Sequence, residues 1–420
     1  MTDAPEVMAR ADLVLRNVVL PSALCRGLTG TDLGHGLMRM DLAITDGRVV
    51  LPGPALQSRD MGGRIALPGL IDAHVHLDKT LTVQRTGFAR SGLAEAVGLA
   101  MADAPNRTAA DLTARMDRAI GMAWRQGTVA LRTHLDSMTA PDDSPAWQAL
   151  AQMQARWQGR MVLEPVALMR IDRALEPGFA TRCAQIAARG GLAGGYIPAE
   201  GCDPAAVDAF LTHAGHAGLA VDFHVDECLD PNAQGIATVL DAIARTGFDR
   251  PVTLGHCCAL SAMDRPRALA LAERMARAGV RVITLPLTNA FLMDRAPGTS
   301  PRLRGMTMVQ ELAALGVPVS FASDNVRDAF YPYGAYDLWE VFRQAVLTMQ
   351  LEAAPQDWLP AIAARAGQVM GLEAGVIAPG APADLIVFDA RDWTDLMSRA
   401  HENRLVLRAG HPLDGAPAWT

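Results

Sequence analysis

The stretch LPGLIDAHVHLDKT, residues 67–80, is an apolar run that ends in two histidines two positions apart. In an extended strand alternate side chains point to the same side, so His74 and His76 face one way and Val75 the other. The run opens a series. Residues 65–76, 128–134, 162–168, 192–197, 220–224, 252–256, 280–285 and 317–323 all read as short apolar strands. After the first, their starts fall roughly 30 residues apart, the length of one strand-plus-helix unit. The segments between them are rich in Ala, Leu and Arg, with apolar residues at helical spacing, for example 205–216 and 266–278. Eight strands, each followed by a helix, is the arithmetic of an α/β chain folded as a (β/α)8 barrel.

The two ends are different in style. Residues 11–50 and 375–413 read as short strands and turns, and neither has enough apolar length for a core of its own. The expectation is one small composite β-sandwich domain built from residues 1–64 and 372–420, beside a barrel at 65–371.

Composition narrows the function classes. The 420 residues carry 38 Lys+Arg against 45 Asp+Glu, a formal charge of −7, and half of them are hydrophobic. That balance excludes a disordered chain. Net acidity argues against a nucleic-acid partner or an anionic membrane surface, both of which call for a basic face. No 18-residue apolar run offers a membrane span, and the first residues lack the basic-then-apolar order of a signal peptide. Six cysteines at irregular spacing in a large chain read as reduced thiols. A cytoplasmic protein is expected, with a homo-oligomer left open.

Chemistry gathers at the strand ends. His224 closes the fifth strand, His256 the sixth and Asp324 the eighth, and barrel active sites are assembled from such carboxyl ends. With His74 and His76 they converge on one mouth, where three imidazoles and a carboxylate make a shell for Zn²⁺ or Fe²⁺ with room for a water. Glu227, three residues past His224, can shuttle a proton beside such a cation. Other candidates read as structural. His213 and His216 lie on one helix as a solvated face. Cys257 and Cys258, being adjacent on a strand, point to opposite faces. His134 at the second strand end either contacts substrate or is a hydrogen-bonded structural group. Lys79, the one lysine of the chain, either reaches the mouth or caps its loop.

These motifs are similar to those of the amidohydrolase superfamily, and specifically its cytosine deaminase-like branch. The resemblance rests on LPGLIDAHVHLDKT, RTHLD, FHVDE, GHCCA, LPLTN and SDNVRDAFYPYGAYDL, and it spans nearly the whole chain. It implies that His74, His76, His224 and Asp324 are ligands of one divalent metal, that Glu227 is the proton shuttle, and that His256 orients the attacking hydroxide. Many superfamily members bridge two metals with a carboxylated lysine at the end of the fourth strand. Here that strand reads LAGGYIPAE, so a mononuclear centre is expected. Where the branch has F-P-Q at the third strand end, this chain has Leu168-Met169-Arg170. Gln offers a donor and an acceptor, whereas Arg offers donors alone. A buried Arg170 pointing inward therefore favours a ring carbonyl or a carboxylate over cytosine. Asn325 stands where the family often has a second Asp, and Phe330 is the aromatic that would stack on the ring.

The resemblance implies a metal-dependent hydrolytic deaminase that releases ammonia from the exocyclic C–N bond of a small nitrogen heterocycle. An N-alkylamino-triazine amidohydrolase is the alternative within enzymes. A catalytically silent structural subunit of the same fold is the alternative outside them, disfavoured because the full ligand set is present.

Overall fold

The computed structural model describes residues 11–415. The segment read for signal-peptide character, and the outermost parts of the composite domain, lie outside the described residues. The chain divides into two compact units. One is made by residues 72–123 and 130–350, the other by residues up to 71, by 124–129, and by those from 351 on.

Eight parallel strands, all in the first unit except for the opening residues Leu70, Ile71, Thr128 and Val129, follow one another in chain order around a barrel: Leu70–Val75, Thr128–Asp136, Val162–Arg170, Leu192–Tyr196, Val221–Val225, Val252–His256, Arg281–Thr284 and Val319–Phe321. The ring closes at its mouth. Val75 bridges Asp324 in parallel register, the Asp324 amide donates to the His74 carbonyl at 2.9 Å, and the Ser323 amide donates to Asp72 Oδ1 at 3.0 Å. Strands such as Val221–Val225 and Val252–His256 are buried at every position, as a parallel sheet covered on both faces requires. The fourth strand shows why the sequence there reads Gly-Gly: a Cβ on Gly195 would lie 2.6 Å from the Phe223 ring of the paired fifth strand.

The second and third strands run two residues further than the sequence pattern predicts, to Asp136 and Arg170. Parallel pairing continues through Asp136↔Leu168 and Tyr196↔Arg170. The first expected strand instead splits. Ala66–Pro68 pairs antiparallel with Leu385–Val387, and the barrel strand starts at Leu70. The backbone changes partner at Gly69, whose amide donates to Asp384 while the Leu70 amide donates to Gly127. Only glycine fits there, because a Cβ would meet Val129 at 2.4 Å.

The second unit holds two β-sheets. One carries Thr31–Gly34, Leu37–Thr45, Ala11–Pro21 and Ala55–Asp60 in that order, with Arg48–Val50 also pairing on Leu37–Thr45; the other carries His411–Pro412, Leu405–Arg408, Leu385–Val387 and Ala66–Pro68. Leu15, Leu20, Met40 and Leu42 of the first sheet share one buried cluster with Leu385, Val387, Leu405 and Leu407 of the second. This is the composite β-sandwich that neither terminus supports alone.

Candidate active site

His74 and His76 leave the first strand toward the barrel axis, as the two-residue period dictates, and meet His224 and Asp324. His76 Nε2 lies 3.2 Å from His224 Nε2 and 3.2 Å from Asp324 Oδ1, while His74 Nε2 lies 3.7 Å from the same oxygen. Four donors about 2.1 Å from one tetrahedral cation would be spaced by roughly 3.4 Å, so these separations fit a single ion. The polar atoms agree. Both nitrogens of His74, Nδ1 of His224 and both oxygens of Asp324 are buried without a hydrogen-bond partner, an arrangement that otherwise costs free energy. Burial, and after it the neighbouring imidazoles, pushes His74 and His224 well below the usual histidine value, leaving neutral rings with free lone pairs. Burial pulls Asp324 upward, but the His76 ring 3.2 Å away and the facing His256 imidazole outweigh it and keep the carboxyl below its usual range.

His256 stands against this cluster, a ring nitrogen of His74, His224 and His256 all lying within 4.8 Å of one another. Its Nδ1 is 2.9 Å from Asn289 Oδ1 and 3.5 Å from Glu227 Oε1. An amide oxygen only accepts, so Nδ1 carries a proton and donates it there. Burial pulls His256 down, but the Glu227 and Asp324 carboxylates prevail and hold it above the usual value. Glu227 itself is pushed up to about 7 by burial, which outweighs the lowering effect of His256 and is reinforced by Asp324. That places a proton-transfer group near neutrality. The backbone is strained around these residues: Asp226, His256, Cys257 and Asp324 all have positive φ, between 49° and 66°. Non-glycine residues adopt that region at a cost, and such cost concentrates at functional sites. Gly255 makes room, since a Cβ there would press on the His74 ring at 3.3 Å.

The cavity over this cluster measures about 290 Å³ and is lined by His76, Lys79, Tyr196, Glu227, Asn325 and Phe330 among others. Asn325 donates from Nδ2 to Asp328 Oδ2 at 2.7 Å, leaving its own oxygen to accept. Arg170 also lines the cavity, but as the last residue of its strand it sits at the rim. Its side chain is 53% exposed and lies 3.2 Å from Asp172. The buried, unpaired guanidinium expected from the sequence is therefore corrected: it is half-exposed and paired with a local carboxylate. A larger cleft of about 460 Å³, lined by Phe88, Arg90, Phe291 and Arg304, contains none of the histidines, so size alone does not mark the site.

Two residues left open by the sequence find their places. Lys79 is buried, with Nζ 2.7 Å from Asp136 Oδ1 and 3.1 Å from His76 Nδ1. His134 stacks on His74 with ring centroids 3.9 Å apart, and its Nε2 lies 3.3 Å from Asp222. Below it, Arg132 joins Glu164 at 2.6 Å and Asp222 at 3.1 Å inside the barrel. That network was missed in the sequence. The signal was there: Arg132, His134 and Asp136 alternate along one strand and so share a face. His213 and His216 stay on the helix Pro204–His216, away from the histidine groups that could hold a metal. Cys257 and Cys258 are buried, but the strand ends at His256 and Cys258 opens a 3₁₀ turn, so they do not alternate on a strand as expected.

Comparison with known proteins places the chain. Residues 86–413 match the amidohydrolase family. A pterin deaminase of Rhizobium rhizogenes is 36% identical over 413 residues, covering 96% of this chain and 94% of that protein. Among solved structures, the 5-methylcytosine deaminase of Klebsiella pneumoniae liganded with 5-fluorocytosine superposes with a TM-score of 0.80 at 24% identity, covering 95% of this chain and 97% of that one. The N-isopropylammelide isopropylaminohydrolase of Burkholderia multivorans gives 0.73 at 26% identity, covering 96% and 98%.

Proposed function

Since the chain belongs to the amidohydrolase family, we propose that its hydrolytic deamination of a small nitrogen heterocycle is directed at a pterin ring. The observation that carries this reading is the likeness to a pterin deaminase along nearly the full length of both chains. The cavity supports it, being close to the lower end of the ~300–1,000 Å³ typical of small-molecule sites.

His74, His76, His224 and Asp324 are the residues that would hold one divalent cation, Zn²⁺ or Fe²⁺. A single ion is supported by the fourth strand, which ends in Tyr196 and offers no lysine. When bound, the cation lowers the pKa of water and so supplies a nucleophile at neutral pH. His256 and the second oxygen of Asp324 orient the attacking water toward the amino-bearing carbon. Glu227 takes up the proton that the attacking water loses and delivers it to the adjacent ring nitrogen, and then carries the proton of the new hydroxyl to the departing amine. The carbon gains a C–O bond, the C–N bond breaks, and ammonia leaves. Phe330 stacks on the ring, Asn325 accepts from a ring N–H through its free oxygen, and Arg170 meets an oxygen at the rim. A cytoplasmic setting is supported by six cysteines that are all free thiols; no helix among the described residues is long and apolar enough to cross a membrane.

The test is ammonia release by the purified holoenzyme from pterin, cytosine and a creatinine-type ring, with isopropylamine release from N-isopropylammelide measured alongside. The reading expects pterin to give the highest kcat/KM. Efficient release from cytosine or from the ammelide, with pterin inert, would overturn it.

A further inference from the structure

The inner part of the active-site cavity is polar, whereas the outer part, Arg170 on the third strand apart, is largely apolar. The helix Leu93–Asp103 turns Leu93, Val97, Ala100 and Met101 toward it, a spacing that puts all four on one helical face. Met138, from the loop after the second strand, and Leu168, near the end of the third, line the same opening. Val97 and Met101 remain 39% and 47% exposed, and Met138 52%. Large apolar side chains left in water inside a concave site mark a ligand contact. Methionine suits such a contact, because its unbranched thioether adapts to the shape it meets.

We propose that this collar receives an apolar arm of the substrate, carried on the end of the ring away from the scissile amine. The inference rests on the pterin reading. In a pterin the 2-amino group and C6 lie at opposite ends of the bicycle. With the amino-bearing carbon beside Glu227 and the histidine cluster, C6 faces the opening and its substituent lies among Val97, Met101 and Met138. The collar shares one continuous cavity with His76, Lys79 and Glu227. Its occupant is therefore an extension of the reacting molecule rather than a separate protein chain. An alkylamine leaving group would lie at the inner end instead, beside Glu227.

The experiment compares 6-phenylpterin with unsubstituted pterin as substrates of the holoenzyme, in wild type, Met101→Asp and Val97→Asn. Wild type is expected to favour the phenyl compound in kcat/KM by ~10-fold, the scale of one well-seated apolar group. In both variants the preference should fall toward unity. Because the readout is a ratio within each protein, altered folding or metal loading cancels from it. Two substitutions at exposed positions on one face keep the test open if either protein expresses badly. Turnover of pterin without a preference for the phenyl compound, or a preference that survives both substitutions, would overturn the collar and leave the pterin reading standing. If wild type turns over neither compound, the pterin reading falls and the collar with it.

Discussion

Glu227 lies buried 3.5 Å from His256 Nδ1, three residues past His224, and burial lifts its carboxyl to about 7. Its replacement by Gln keeps the shape and removes the ionisable carboxyl proton. Glu227→Gln should retain the metal yet lose at least ~10²-fold in kcat, the usual scale for a general acid–base group; near-normal turnover by a metal-loaded variant would remove Glu227 from the proton path. Asp328 gives a second prediction at this scale. It accepts from Asn325 Nδ2 and from the amides of Phe330 and Tyr331, and burial pushes it up to about 7. Its unfolded value is near ~4, so folding favours the protonated form, and that contribution to stability is present in full below pH ~4 and lost as pH rises through about 7. Asp328→Asn cannot titrate. The melting temperature of the variant, relative to wild type, should rise between pH 5 and pH 8; a difference that stays constant would show that Asp328 is not protonated in the fold. How much was legible differs by residue. The positions of His74, His76, His224, His256 and Asp324 follow from strand period and strand ends, which are properties of the chain. The reach of Lys79 to Asp136 and the outward lie of Arg170 depend on where long side chains find partners, and no local pattern encodes that.

Among the elements, the strands were read well because each parallel strand is buried on both faces and stands out as an apolar run. Their ends were read less well. The second and third strands continue through Asp136 and Arg170, polar residues that pair because their neighbours in the barrel do. The first strand breaks at Gly69, where two sheets compete for one stretch of backbone and a side chain 60 residues away forbids a Cβ. The fourth strand shows the converse, with a composition that looks weak for a strand but is required by its partner. Gly195→Ala would place a methyl group 2.6 Å from Phe223, the residue before His224. Such overpacking typically costs about 1–3 kcal/mol, which should lower the denaturant midpoint and disturb His224 with it. An unchanged midpoint would mean that the fourth and fifth strands separate more easily than their packing implies.

At the scale of the molecule, the barrel brings residues from four distant segments into one buried cluster, and a bound cation would offset the free energy stored there in unpaired lone pairs. The barrel and the composite sandwich were both legible, the first from its period and the second from two ends each too short to fold alone. What the cavity selects was not legible, because its walls come from loops whose side chains meet only after folding. The chemistry of the molecule therefore depends on this cluster. Protein stripped of metal should be titrated with Zn²⁺, and separately with Fe²⁺ under anaerobic conditions, while ammonia release from pterin is followed. We expect no activity without metal, a linear rise, and a plateau at about one equivalent per chain. Full activity in the stripped protein, or a rise that continues to two equivalents, would contradict a single cation held by His74, His76, His224 and Asp324.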